Sequence, residues 1–461
     1  MFNKYRIIHF VGIGGIGMSG IAEVLHNLGY EITGSDIKES ETTNRLKDLG
    51  IKIFIGHDRK NINDAHVVVI SSAVSENNPE VIEAKKRAIP VIPRAEMLAE
   101  LGRLKYGILV AGAHGKTTTT SLIATILGDG GLDPTVVIGG KLKSMGSNAK
   151  LGQGDYIVAE ADESDGSFLK LNPTIAVITN IDKEHLDYFK ELKNLKAAFL
   201  SFINKIPFYG IAVVCLENEH IKDIIPFIKR RFLTYGFTKK ADIYANDIQN
   251  LGTKMSYEVI YKGSSLGRFD IPIPGRHNVL NSLASIAVSM ELQIPLELIR
   301  RSLSGFCGIQ RRFELKGEQS GIKIFDDYGH HPSEIRATLN AARECFKENR
   351  LLVIFQPHRF TRTRDLMDEF AKSFNYIDRL FLMDIYAAGE RPIEGISSEH
   401  LYYKIKEEGF GNVTYIPDKY RLINAVVSDL KSGDVLITLG AGDVYKIAEE
   451  IIERLKNGKR L

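Results

Sequence analysis

Two glycine-rich turns, each expected between an apolar strand and an amphipathic helix, stand about a hundred residues apart in this 461-residue chain. In the first, "VGIGGIGMSG" from Val11 to Gly20, residues Gly12, Gly14 and Gly17 fit the G-x-G-x-x-G spacing. Such a turn holds a nucleotide pyrophosphate against a helix N-terminus within a βαβ unit. Arg6 to Val11 supplies the strand, "MSGIAEVLHNLG" the helical spacing, and "EITGSD" a second strand that ends at Asp36. An acid there suits the ribose of NAD or of another nucleotide. The glycine spacing therefore leaves open an NAD(P)-dependent oxidoreductase, in which the second loop would be regulatory.

The second turn, "VAGAHGKTTTT" from Val110 to Thr120, lies between the strand "ILVA" and a helix expected over about 117–127. Backbone N–H groups and the roughly half positive charge of a helix N-terminus favour a phosphate there. Gly112 and Gly115 permit close backbone approach, Lys116 would reach the β and γ phosphates of ATP, and the Thr117 hydroxyl would bind magnesium. Val110 stands where the longer phosphate-loop pattern has its first glycine. The strand context, the lysine and the run of threonines still favour a phosphate loop over a surface turn. Magnesium wants hard oxygen ligands. "VAEADESDGS" offers Glu160, Asp162, Glu163 and Asp165. Glu160 is the favoured ligand because it emerges first from the strand, although Asp162 is not separated from it. His185, in "TNIDKEHLDYF", also follows a strand.

Strands and helices alternate throughout, which predicts an α/β protein of three domains. A Rossmann-like N-terminal domain covers 1–105, a central P-loop ATPase-like α/β domain 106–309, and a C-terminal Rossmann-like α/β domain 310–461. The 60 basic and 57 acidic residues are interspersed, so nucleic acid is a poor candidate partner. Cys215, Cys307 and Cys345 lie far apart, without zinc or redox spacing, and read as packing residues in a reducing compartment. No apolar run approaches the ~20 residues of a membrane-spanning helix, so stable membrane attachment is not expected.

"AGAHGKTTTT", "AEADESDGSF", "TNIDKEHLDYF", "GRHNVLNSLAS", "IQRRFE", "DDYGHHPSEI" and "QPHRFTRTRDL" occur in this order over essentially the whole chain, which thereby resembles the Mur ligases. Among them it is most similar to members that join L-alanine to the lactyl carboxylate of UDP-N-acetylmuramate at the expense of ATP. The resemblance implies a bacterial cytoplasmic enzyme of peptidoglycan precursor synthesis with small-molecule substrates, as a monomer or weak homodimer. The first turn would then hold the diphosphate of the UDP-sugar through Gly14, Gly15, Ile16, Gly17, Met18 and Ser19, with Asp36, Ser71 and Ser72 nearby.

By the same resemblance, Gly112, Ala113, His114, Gly115, Lys116, Thr117 and Thr118 form the ATP loop, and His114 also lies near the sugar. Thr117, Glu160 and His185 match magnesium ligands, His277 and Asn281 adenine contacts, and Asp326 or Asp327 a ribose contact. Arg312 matches an arginine that meets ATP phosphates from the third domain. Tyr328, His330, His358, Arg359 and Arg362 match the amino-acid site, with His330 or His358 as proton acceptor or as carboxylate-orienting group. Phe199 falls where several sister ligases carry a carbamylated lysine. Lys116, Glu160, His185, Arg312, His330 and His358 are thus the candidate catalytic set, working through an acyl-phosphate intermediate.

Overall fold

The computed structural model describes residues 6–71, 73–103, 105–143 and 147–456. Its strands form three sheets of five, ten and six strands. The first contains β1 (Ile7–Val11), β2 (Glu31–Asp36), β3 (Lys52–Ile55), β4 (Val67–Ile70) and β5 (Val91–Pro93), in the order β3-β2-β1-β4-β5. Every pairing is parallel. The chain runs outward from β1 to β2 and β3, then returns to place β4 on the other side of β1. That reversal leaves a crevice at the C-terminal end of β1, where α/β sheets take ligands. The turn Gly12–Gly15 leaves the sheet there and enters the helix Ile16–Asn27.

The second sheet comprises β6 (Tyr106–Ala111), β7 (Thr135–Leu142), β8 (Ser147–Lys150), β9 (Tyr156–Glu160), β10 (Ile175–Ile178), β11 (Ile211–Cys215), β12 (Phe232–Gly236), β13 (Ile243–Asn250), β14 (Met255–Tyr261) and β15 (Ser264–Ile271). Its order is β15-β14-β13-β12-β11-β10-β6-β9-β7-β8. β6 pairs parallel with β9 on one side and with β10 on the other. The topology therefore reverses at β6, which feeds "GAHG" into the helix Lys116–Asp129. The acidic run after β9 and "TNIDKEH" after β10 flank that turn. β14 and β15 are joined by only two residues, a link that serves an antiparallel hairpin. Phe199 is buried against Phe168, with ring centroids 5.3 Å apart, and Phe168 in turn packs against Phe202.

The third sheet holds β16 (Glu314–Gln319), β17 (Ile322–Asp327), β18 (Leu351–Phe355), β19 (Arg379–Leu382), β20 (Val413–Tyr415) and β21 (Val435–Leu439), in the order β16-β17-β21-β18-β19-β20. Only the edge pair β16 and β17 is antiparallel. β18 is apolar at all five positions because both faces are covered. Leu351, Val353 and Phe355 pack with Leu339, Phe370 and Phe374, while Leu352 and Ile354 pack with Leu422, Ile447 and Ile451. Burying each large aliphatic or aromatic side chain in this way contributes about 1.5–3 kcal/mol.

By contact the chain divides into two compact units. One comprises Met1–Asp247, Tyr257–Phe269 and Leu280–Cys307, the other Ile248–Ser256, Asp270–Val279 and Gly308–Leu461. Among the cysteines, Cys215 is buried and Cys345 partly so, but Cys307 is exposed and is not a packing residue. It sits in the link between the helix Leu296–Ser304 and β16. No described helix is long and apolar enough to cross a membrane.

Candidate active site

The first glycine turn is tied to its own sheet. Gly12 and Ile13 donate their N–H groups to the Ser35 carbonyl, and Gly14 donates to Asp36 Oδ2 at 2.8 Å. Asp36 thus braces the turn from the end of β2. Gly15 is the N-cap of the helix Ile16–Asn27 and brings no side-chain cap, while Gly15 and Ile16 are open to solvent. Met18 and Ser19 point inward and are buried, so any ligand would meet them through their backbone. Ser71 follows β4 beside the turn and donates its N–H to the Val11 carbonyl. Ser72 lies outside the described residues.

The second turn is built from both neighbours of β6. Gly112 has φ +134° and Gly115 φ +81°, and a Cβ on Gly112 would lie 2.2 Å from Thr179 Oγ1 and 2.8 Å from the Asn180 carbonyl oxygen. Thr179 Oγ1 and Asn180 Nδ2 donate to the His114 carbonyl at 2.6 and 2.9 Å, and Asn180 Oδ1 accepts from the His114 N–H. Ala113 lies within this clamped stretch. Thr117 and Thr118 are buried at the start of the helix. Asn281 is buried beneath the turn, where Oδ1 accepts from Thr119 Oγ1 at 3.2 Å, whereas His277 is exposed.

Lys116 donates to the Gly112 carbonyl at 2.6 Å and to both Glu163 oxygens at 3.0 Å. Burial works against its charge, yet Glu163, Asp162 and Glu160 outweigh that and hold it protonated well above the ordinary lysine range. Of the acidic run, Glu163 is the buried partner of the lysine, while Glu160 accepts from the Gly139 N–H at 2.6 Å. Asp162 is held down at about 2: burial opposes ionisation, but Lys116, Arg94 and the Ser164 N–H favour it. His185 Nε2 lies 3.8 Å from Glu163 and 3.6 Å from Glu184. Ligand atoms of Glu163, Glu184 and His185 lie within 4.8 Å of one another, so their two carboxylates and one imidazole fit a divalent cation. His114 Nε2 is 3.4 Å from both Asp182 and Glu184.

In the third sheet the candidate residues gather at the ends of β17, β18 and β19. His330 and His358 have ring centroids 5.8 Å apart, Tyr328 packs edge-on against His330, and Tyr386 stacks on His358. Arg362 Nη1 is 3.3 Å from His358 Nδ1. Arg359 adopts φ +71° and donates its N–H to the Tyr386 carbonyl. Both histidines have weakened basicity. Burial and the Arg362 and Arg359 cations bring His358 down to about 4, and burial, against Glu334 and with Arg362, brings His330 to about 3. Arg312 lies over the Tyr328 ring with Nη1 3.7 Å from Glu334.

Its neighbour Arg311 is committed inward, to Asp326 and to the Gly440 and Gly442 carbonyls. Asp326 also accepts from Thr438, and Asp327 accepts from the Phe313 and Gly329 N–H groups. Burial raises Asp327 to about 6 against the pull of Arg312 and those amides. Both carboxylates are therefore engaged by groups of the same compact unit.

Several residues that carry this geometry were not singled out from the sequence. Arg94 begins the helix Arg94–Gly102 and pairs with Asp162 at 3.1 Å. Thr179 and Asn180 stand in a quoted motif, but their grip on His114 depends on β10 lying beside β6. Glu184 precedes His185, and its part became visible only in three dimensions.

Comparison with known proteins accounts for the whole chain. Residues 7–106 match the profile of the Mur ligase family catalytic domain, 110–289 the Mur ligase middle domain, and 311–442 the Mur ligase glutamate ligase domain. A UDP-N-acetylmuramate–L-alanine ligase from Geobacter sp. is 57% identical over 459 residues, covering 100% of both chains. Its counterpart from Geotalea uraniireducens is 58% identical over 456 residues, with 99% of each covered. The crystal structure of UDP-N-acetylmuramate-alanine ligase from Thermotoga maritima superposes with a TM-score of 0.84 at 30% identity, over 98% of this chain and 99% of that one. The chain belongs to the Mur ligase family.

Proposed function

We propose that this chain is an ATP-dependent ligase that joins L-alanine to the lactyl carboxylate of UDP-N-acetylmuramate, giving UDP-N-acetylmuramoyl-L-alanine, ADP and phosphate. The observation that carries this reading is its full-length likeness to ligases named for that reaction. The oxidoreductase alternative is not supported, because it leaves the Lys116 loop and the third sheet without a task.

A carboxylate resists attack by an amine because it is anionic and would have to expel oxide. Attack of the lactyl carboxylate oxygen on the γ-phosphorus, with cleavage of the bond to the β-phosphate, yields an acyl phosphate and ADP. The alanine amine then attacks the acyl carbon, loses a proton and expels phosphate. The glycine turn of the first sheet grips the UDP diphosphate with its backbone. Lys116, already protonated, exchanges its Glu163 partner for the phosphates and offsets the repulsion between the two reacting anions. A magnesium ion held among Thr117, Glu160 or Glu163, Glu184 and His185 would supply further neutralisation of phosphate charge.

Arg312 is the third-domain cation proposed for the phosphates, with His277 and Asn281 proposed for the adenine and Asp326 or Asp327 for the ribose. Arg362 and Arg359 receive the alanine carboxylate, since a guanidinium presents a planar fork to it. Their charge is part of what weakens His358 as a base. Arrival of the carboxylate neutralises that charge and so removes this part of the penalty on His358, beside the place where an ammonium proton must leave. The same reading carries a bacterial cytoplasmic setting and a monomer or weak homodimer without nucleic-acid partners.

The test is mass spectrometry of the product formed from UDP-N-acetylmuramate, ATP and a mixture of amino acids. The expected product carries one alanine, with phosphate release that requires both substrates. An NADH absorbance change without any need for ATP would overturn the reading.

A further inference from the structure

Arg94 lies between the first turn of the helix Ile16–Asn27 and the acidic stretch after β9. Its guanidinium lies against the Cα of Gly17, where a Cβ would fall 2.1 Å from Nη1 and 3.2 Å from Cδ. Gly17 is in the first turn of the helix Ile16–Asn27. The other terminal nitrogen, Nη2, donates to Asp162 Oδ2 at 3.1 Å, and Asp162 directly precedes Glu163, the carboxylate that holds Lys116 at 3.0 Å. A cation beside the first turn of a helix faces the positive end of its dipole. Such a place suits a charge that shares an anion with the turn. The Arg94 and Asp162 side chains are 34% and 41% exposed, so the pair is open to exchange rather than locked in a core.

Resting on the reading that the glycine turn grips the UDP-sugar, we propose that Arg94 is a positioning residue that couples the two nucleotide sites. When the diphosphate binds, the Arg94 guanidinium turns from Asp162 to a phosphate oxygen. Asp162, left without that cation, adds its negative charge to the carboxylates beside the second turn, which draw in the magnesium ion that the nucleotide brings. Sugar nucleotide and ATP then favour each other's binding, and by linkage the factor is the same in both directions.

The test is calorimetric titration of the full chain with magnesium and AMP-PNP, with and without saturating UDP-N-acetylmuramate, and with UDP-N-acetylmuramate alone. In the unmodified protein the sugar nucleotide should tighten AMP-PNP by between about 5-fold and 150-fold. Arg94→Ala should weaken UDP-N-acetylmuramate and bring the coupling factor to one, with Arg94→Lys in between. Asp162→Asn should instead tighten UDP-N-acetylmuramate, because a competitor for the guanidinium is gone, while also losing the coupling. A merely structural ion pair would not move sugar affinity in opposite directions in the two variants. The proposal is overturned if Arg94→Ala binds the sugar nucleotide normally, or if either variant keeps the coupling factor. Should Arg94→Ala not fold, Arg94→Lys and Asp162→Asn carry the same test. Failure of the unmodified protein to bind UDP-N-acetylmuramate at all would sink the reading of the glycine turn itself.

Discussion

Lys116 has two carboxylate oxygens and a loop carbonyl around a largely buried ammonium, an arrangement that keeps the charge in place until phosphates replace the carboxylate. Removing one group that stabilises transition-state charge costs about 10²–10³ in kcat. Lys116→Ala should lose that much in steady-state ADP release, yet calorimetry should find UDP-N-acetylmuramate binding unchanged. Equal loss of both in a folded variant would contradict separate sites. Arg362→Ala should raise the KM for alanine about tenfold or more, since hydrogen bonds to charged groups are worth ~1.5–3 kcal/mol. Unchanged alanine saturation would remove its role. His358 titrates near 4 in the folded chain and near 6.5 when unfolded. Between those values the unfolded chain binds more protons, so this residue costs stability as pH falls from about 6.5 towards 4. Melting temperatures of His358→Asn should therefore fall less steeply than those of the unmodified protein across that window; parallel curves would show that the imidazole is not held neutral.

At the level of elements, the turn after β6 is fitted to glycine by its neighbour β10. Gly112→Ala would force a side chain into φ +134° and against Thr179 and the Asn180 backbone, a strain of about 1–3 kcal/mol. The expected outcome is a lower melting temperature together with loss of nucleotide binding, whereas normal ATP saturation would show that the turn tolerates a Cβ. That β6, its glycines and the following helix could be read from the sequence follows from locality: strand, turn and helix are contiguous, and each leaves its own residue pattern. The helix spans Lys116–Asp129 where about 117–127 was expected. The choice of acid was harder to read, because Glu160 and Glu163 are chemically alike. Only the pairing of β9 with β7 sets Glu160 on Gly139, and only the path of the loop after β9 turns Glu163 onto the lysine. Arg94 was hidden for a related reason. "PVIPRAEML" has no periodicity that marks a functional arginine, and its meaning comes from packing across β5 onto a helix some eighty residues earlier in the chain.

At the scale of the whole molecule, the two nucleotides belong to separate sheets, and ligand-induced stabilisation can show that separation directly. At a concentration of 100 Kd a single ligand stabilises the folded state by about 2.7 kcal/mol. UDP-N-acetylmuramate and magnesium AMP-PNP should each raise the melting temperature, and Lys116→Ala should lose only the second response. Loss of both would mean that they share one site. On the proposed chemistry, the second sheet activates a carboxylate that the first sheet helps to hold. It is tested most directly with UDP-N-acetylmuramate labelled with oxygen-18 in its lactyl carboxylate, incubated with ATP, magnesium and L-alanine. An acyl phosphate predicts that one labelled oxygen leaves with each inorganic phosphate released, and phosphate carrying no label would contradict it.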